Sequence, residues 1–273
     1  MKPLVIYHGN CMDGFSAAWC FWRKFAGEAE YHAASFGIAA PEVAGREVYL
    51  VDFSYPRAQV AQMLTQAKRV ILIDHHESAL QDLADLAGLE QYTDLHRSGA
   101  ILAWDYWFAP APPPLLLQYV QDRDLWRFQL PDTREILAAM FSFDYGFGLW
   151  DELMAYDAQQ LQSLKREGVA IDRKQRKDMQ QLLGIGQRRM TIGGVNVPVA
   201  NMPSMMASDA AHLMAQGEAF AACYWDGVKS RKFELRSSES GMNVAKIAKQ
   251  YGGGGHAKAA GFSVPRSHIL AKS

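Results

Sequence analysis

Val70-Ile71-Leu72-Ile73-Asp74-His75-His76 is a run of four apolar residues that ends on a carboxylate and two imidazoles. Four residues is strand length, and unbroken apolarity marks a strand covered on both faces. The pattern recurs on either side. Leu4 to Tyr7 is a short β-prone run ending at His8, and Val48 to Phe53 is apolar except for Asp52. Phe15 to Phe25 is long, aromatic and turn-free, as a buried helix is. Ser54-Tyr55-Pro56 reads as a helix start, and Val60, Met63, Leu64 and Ala67 then recur at i, i+3, i+4 and i+7. Apolar strands joined by helices predict an α/β fold with a parallel sheet, whose ligands bind beyond the carboxyl ends of the strands. His8, Asp52 and Asp74-His75-His76 stand at those ends, with Asp13 one turn after His8.

The 273 residues favour two domains at roughly 150 residues each. Pro110-Ala111-Pro112-Pro113-Pro114 breaks the first pattern and precedes the apolar run Leu115 to Val120, which leads into Asp122-Arg123-Asp124. The stretch from Trp150 to Leu183 is polar and free of proline, with Leu161, Leu164 and Val169 among few apolar anchors; it predicts a solvated helix bridging two domains. The expected organisation is therefore residues 1–149, a helical linker at 150–185, and a smaller α/β domain at 186–273. Strands are expected in the latter near 219–225 and 232–235.

Basic residues number 28 and acidic residues 29, so no bulk positive charge advertises a duplex-binding surface. With 49% hydrophobic and 21% charged residues the chain can build real cores, which excludes disorder throughout. Its apolar stretches are too short to span a bilayer, its start lacks the apolar core of a signal peptide, and three cysteines without a CxxC pair argue against a disulfide framework. A cytoplasmic protein without membrane partners is the expectation.

Imidazole and carboxylate together suit divalent Mn, Zn, Co or Fe, and a carboxylate can bridge two such ions to activate water and stabilise a phosphoryl leaving oxygen. Any one of these residues alone is more often structural, a helix cap or a packed or exposed side chain. Three strand ends at one sheet edge point to a site. The run Gly252–Gly255 lets backbone N–H groups form an anion nest, to which His256 and Arg236 add charge-assisted bonds; the alternative is a flexible turn. Ser98-Gly99-Ala100 is either a phosphate-contacting turn or a helix cap. Trp104, Tyr106, Trp107 and Phe108, and separately Trp126 and Phe128, are either core or base-stacking rings.

These residues resemble the DHH phosphoesterases. Asp74-His75-His76 is similar to the motif that names the family, His8-Gly9-Asn10-Cys11-Met12-Asp13-Gly14 to its first motif, and Asp52 within Val51-Asp52-Phe53 to its second. Asp122 or Asp124 matches the fourth. Leu235-Arg236-Ser237, Gly252–Gly255 with His256, and Ala259-Ala260-Gly261-Phe262 resemble the small DHHA1 domain that accompanies it. The family pattern is His-x-x-x-Asp-x-Asp, and here Cys11 stands where the first Asp is expected, one residue nearer His8. It is either a thiolate ligand, favouring a softer metal, or a packed side chain.

The resemblance implies a phosphodiesterase or exonuclease with two divalent ions, Mn²⁺ foremost, that hydrolyses short single-stranded oligonucleotides or dinucleotides to mononucleotides. His8, Asp13, Asp52 and His75 are the implied ligands, with Asp52 bridging. Asp122 is preferred over Asp124 as the fourth-motif ligand because it follows the apolar run ending at Val120. Asp74 is implied to orient the neighbouring imidazoles and His76 to contact substrate, while Arg236, Gly254, Gly255 and His256 bind it. A nucleotide phosphatase and a non-catalytic RNA- or nucleotide-binding protein are the alternatives, and a homodimer is left open.

Overall fold

The structure, a computed structural model, describes residues 1–35 and 37–272. The chain divides into two compact units, one from Met1 to Asp172 and one from Arg173 onward.

The first unit alternates strand and helix: β1 (Leu4–His8), α1 (Met12–Phe25), β2 (Glu30–Ala34), β3 (Glu47–Val51), α2 (Arg57–Gln66), β4 (Arg69–Asp74), α3 (Glu77–Leu83) and β5 (Glu90–Thr93). It continues with α4 (Gly99–Phe108), α5 (Leu115–Asp124), α6 (Thr133–Met140) and α7 (Phe147–Met154), and enters α8 (Ala158–Gly186). The strands form one sheet in the order β2-β1-β3-β4-β5, every pair parallel. Alternation along each strand feeds two cores. Leu4, Ile6, Val48, Leu50, Val70 and Leu72 pack with Val60 and Met63 of α2 and Leu83 of α3. Val5, Tyr49, Val51, Ile71 and Ile73 pack with α1, α4, α5, α6 and α7. Both faces of the central strands are covered, so β1, β3 and β4 carry no charged positions between their ends. Strand order reverses between β1 and β3, the switch point at which such sheets leave an open crevice beyond their carboxyl ends.

Ser54 does not cap α2. Pro56 holds the N-cap position without a side-chain bond, and the Arg57 N–H instead donates to Asp82 Oδ2 at 3.0 Å. The region expected to begin a linker at Trp150 starts inside the core: Trp150, Leu153 and Met154 of α7 and Leu161 and Leu164 of α8 are buried in the first unit. Val169 is 42% exposed and anchors nothing; Ile171 packs on the core instead. Trp104, Tyr106, Trp107 and Phe108 also pack on that core, with Trp104 stacked on Trp19.

The second unit contains the remainder of α8, then β6 (Arg188–Ile192), β7 (Val195–Asn201), α9 (Ser204–Met214), β8 (Ala221–Asp226), β9 (Ser230–Arg236), α10 (Val244–Lys249), β10 (Gly254–His256), β11 (Ala259–Pro265) and α11 (Ile269–Lys272). Its sheet runs β10-β11-β9-β8-β7-β6, with only β7 and β8 parallel among the described pairs.

Helix α8 carries a built-in comparison. A methyl group at Gly168 would lie 1.7 Å from the Glu135 carbonyl oxygen, whereas at Gly184 it would meet nothing within 4 Å. Gly168→Ala should destabilise the protein by about 1–3 kcal/mol or more through overpacking. Gly184→Ala should stabilise it by roughly 0.5–1 kcal/mol. Urea denaturation of both variants checks this, and equal effects would contradict the packing of α8 on α6.

Candidate active site

The carboxyl ends of β1, β3 and β4 deliver the predicted residues to one place. Strand β1 ends on His8, and Asn10 turns the chain in the left-handed region (φ 55°) so that α1 begins immediately. Gly14 permits that closeness, because a Cβ there would stand 2.4 Å from the His8 carbonyl oxygen. Asp13, in the first turn of α1, is thereby buried beside the sheet end, 2% exposed. Asp52 follows β3 with φ 52°, a conformation tolerated by Asp more readily than by most residues. Its N–H continues the ladder to the Ile73 carbonyl at 2.9 Å, and its side chain turns into the crevice.

Asp52 Oδ1 lies 3.1 Å from His75 Nε2, and Asp52 Oδ2 lies 3.5 Å from His8 Nδ1. His75 Nε2 is also 3.9 Å from Asp13 Oδ2 and 3.5 Å from Asp124 Oδ2. Asp74 bonds its immediate neighbours: its Oδ1 accepts from the backbone N–H groups of His75 (2.7 Å) and His76 (3.2 Å) and pairs with His76 Nδ1 at 2.7 Å. Asp74 thus holds the His76 ring through Nδ1.

Asp122 is not among these residues. Its buried carboxylate accepts from the N–H groups of Gln129 (2.9 Å) and Leu130 (3.1 Å) and from the Thr133 hydroxyl (2.6 Å), so it ties down the loop after α5. Asp124, one half-turn further along α5, is the carboxylate that reaches His75. The geometry therefore departs from the expected Asp122: of the two carboxylates, Asp124 stands in the cluster, because on a helix residues two apart face opposite ways.

The charges are strongly coupled. Burial opposes ionisation of Asp52, yet the hydrogen bond to His75 and the nearby His8 imidazole hold it well below the ordinary carboxylate range. Burial likewise opposes charging of His75 and His76, but Asp52 with Asp124, and Asp74 with Asp52, push the two imidazoles up to about 9. Asp13 moves the opposite way, raised by burial and by the charges of Asp124 and Asp52. Burial also raises the Cys11 thiol, with Asp52 and Asp124 adding to it and the amides of Gly14 and Asp13 opposing.

A divalent cation fits this donor set. Asp13 Oδ2 and Asp52 Oδ2 are buried and make no hydrogen bond among the described residues. Carboxylate oxygens are acceptors only, and a cation satisfies them where no N–H or O–H is aimed at them. Donor atoms of Asp13, His75 and Asp124 lie within 4.8 Å of one another, and so do those of His8, Cys11 and Asp52.

One residue had escaped notice as more than a turn. Ser98 caps α4, its Oγ accepting from the Ile101 N–H, which settles its role as a cap. Gly99 beside it is pressed against Asp52, where a Cβ would lie 2.5 Å from the Asp52 Cβ, and the next amide, Ala100 N–H, donates to Asp13 Oδ1 at 3.2 Å. No local sequence signal marks it, because the demand for a glycine comes from its contact with Asp52.

In the second unit, Arg236 and His256 both stand opposite Ala259, so β9, β11 and β10 set them abreast on one face, about 10 Å apart. Arg236 bonds the Ser208 hydroxyl and pairs with Glu234 at 3.3 Å. Gly254 and Gly255 form β10 with His256. The glycines serve strand contact as much as any nest: a Cβ at Gly253 would stand 2.1 Å from the Gly261 carbonyl oxygen, and one at Gly255 2.5 Å from that of Ala259. Lys258 is committed to the carbonyls of Ser238, Glu239 and Gly241.

No family model matches the chain. The uncharacterized protein R106 of Acanthamoeba polyphaga mimivirus is 26% identical over 286 residues, covering 95% of this chain and 67% of that protein. RecJ from Thermus thermophilus, solved in complex with Mn²⁺, has a TM-score of 0.53 at 16% identity and covers 99% of this chain and 50% of its own. PggH of Vibrio cholerae, a pGpG-specific phosphodiesterase, has a TM-score of 0.51 at 13% identity over 97% of this chain and 94% of its own. The chain shares the fold of these two structures, as the resemblance to the DHH–DHHA1 architecture implies. The parallel sheet with its cluster corresponds to the half that resembles DHH and the mixed six-stranded sheet to the half that resembles DHHA1. No described helix is long and apolar enough to cross a membrane.

Two variants of α5 separate holding the fold from furnishing the site. Asp122→Ala removes an acceptor from three donors and should cost roughly 3–5 kcal/mol in thermal or urea denaturation. Asp124→Ala should change stability little and weaken divalent-ion binding, read by calorimetry, at least tenfold. Gly99→Ala should weaken that binding similarly by displacing Asp52. A normal ion affinity in Gly99→Ala would contradict the contact.

Proposed function

We propose that this chain is a divalent-cation-dependent phosphoester hydrolase that cleaves the phosphodiester bonds of dinucleotides or short single-stranded oligonucleotides. One observation carries the reading: Asp13, Asp52 and Asp124 converge with His75 and His8 at the switch point of a parallel sheet, and two of the carboxylate oxygens there lack any hydrogen bond among the described residues. His8, Asp13, Asp52, His75 and Asp124 would hold the ions, Mn²⁺ among them, with Asp52 between the two positions. Divalent ions so held lower the pKa of a bound water and offset charge on phosphoryl oxygens.

The chain's own groups supply the rest. Asp74 holds His76 by Nδ1, so His76 presents Nε2–H to a phosphoryl oxygen of the substrate. Asp52, kept ionised by its histidines, brings fixed negative charge to the crevice. Arg236, Gly254, Gly255 and His256 are the proposed substrate contacts of the DHHA1 half, with the abreast Arg236 and His256 suited to a phosphate group. The resemblance in fold to PggH, a pGpG-specific phosphodiesterase, supports a nucleotide phosphodiester over other esters. The net charge of −1 weighs against a long basic channel for polymeric DNA.

A substrate series from phosphomonoester through dinucleotide to 20-mer, each with and without chelator, tests this. Cleavage should be greatest on the dinucleotide or short oligomer and absent with chelator. Asp52→Asn should lower kcat at least about 1000-fold, equivalent to roughly 4 kcal/mol of transition-state stabilisation, in a protein that remains folded. Chelator-resistant cleavage, or most of the activity surviving in Asp52→Asn, would overturn the reading. Arg236→Ala and His256→Ala should each raise KM for a dinucleotide about 10- to 150-fold without changing ion content.

A further inference from the structure

We propose that the two cation positions are chemically unlike: Cys11 supplies a thiolate to the position at His8 and Asp52, which therefore selects a thiophilic dication, while the position at Asp13, His75 and Asp124 takes a hard one such as Mn²⁺. The proposal rests on the reading that the cluster holds divalent ions.

Two donor groups share no residue: a ring nitrogen of His8, Cys11 Sγ and an Asp52 oxygen lie within 4.8 Å of one another, and so do donors of Asp13, His75 and Asp124, with His75 also grouped with Asp52, Asp74 and His76. Zinc binds sulfur at about 2.3 Å and imidazole nitrogen at about 2.0 Å, so donors of this spacing need only small movements to share an ion. Cys11 is the N-cap of α1, and its extended backbone (φ −121°, ψ 134°) places it at the same strand-end edge as His8. A second observation points to a ligand there: Asp52 is 1% exposed, and its Oδ2, 3.5 Å from His8 Nδ1, makes no hydrogen bond among the described residues.

Packing accounts for the other two cysteines and not for this one. Cys20 and Cys223 are fully buried within apolar clusters, and the Cys20 thiol donates to the Ala100 carbonyl. Cys11 is partly exposed and belongs to neither cluster. When the ion binds, the Cys11 S–H bond breaks, a sulfur–metal bond forms and the proton passes to the buffer. Soft thiolate in a His–Cys–Asp set favours Zn²⁺, Co²⁺ or Fe²⁺ over Mn²⁺ or Mg²⁺.

Cobalt(II) is the probe. The full-length wild-type protein titrated with Co²⁺ should develop a sulfur-to-cobalt charge-transfer band in the near ultraviolet, saturating at one equivalent. The band should vanish in Cys11→Ser and Cys11→Asp, which still bind Co²⁺, and persist in Cys20→Ser. Zn²⁺ affinity should fall at least tenfold in Cys11→Ser, and Cys11→Asp should shift preference toward Mn²⁺. Zinc-edge X-ray absorption of the unaltered protein, which depends on no variant's folding, should show one sulfur neighbour at about 2.3 Å. Bound Co²⁺ without the band, a band that survives Cys11→Ser, or a zinc shell without sulfur overturns the thiolate position alone. Failure of the wild-type protein to bind Co²⁺ at all overturns the cation reading with it.

Discussion

Asp52 carries a left-handed backbone, a fully buried carboxylate and a glycine pressed against its Cβ, and the DHH half is arranged around those three constraints. A non-glycine residue in that region costs of order 1–3 kcal/mol and persists only where its surroundings over-determine it. Here the β3–β4 ladder fixes its N–H, His75 bonds one oxygen with His8 beside the other, and Gly99 packs against its Cβ. The parallel sheet supplies the direction. Because β1 and β3 are neighbours whose following helices leave on opposite faces, the space beyond their ends is open, and polar groups placed there meet a crevice instead of a core.

The same geometry explains why so much of this half was legible. Strands buried on both faces are apolar until they stop, so His8, Asp52 and Asp74 stood out as the first polar residues after each run. Their convergence followed from sheet topology alone. The choice between Asp122 and Asp124 did not, because it depends on a helical period. Val120 and Asp124 are one turn apart on α5, on the face that reaches the sheet edge, while Asp122 turns back to hold residues 129–133. Gly99 was illegible for a different reason. Its demand comes from a contact 47 positions away in sequence, and a glycine beside a helix cap carries no mark of that.

The DHHA1 half was read through its glycines, and there the physical need proved double. Gly253 and Gly255 let β10 approach β11 at distances no side chain allows, which is a packing requirement independent of any ligand. Register then does what composition could not: it sets Arg236 and His256 on one row of the sheet. The long polar stretch after Trp150 was correctly helical from 158 onward, but its first turns are core, because Trp150, Leu161 and Leu164 are spaced to face the other helices of the DHH half.

The central claim is that the Asp52 cluster is a cation centre and not a network of ion pairs sufficient in itself. Anomalous diffraction from crystals soaked in Mn²⁺ tests it most directly. The account predicts anomalous peaks within bonding distance of Asp52, the first shared with Asp13, His75 and Asp124 and any second with His8. Mn²⁺ found only at surface carboxylates, with His75 still hydrogen-bonded to Asp52 and the crevice empty of anomalous density, would contradict it.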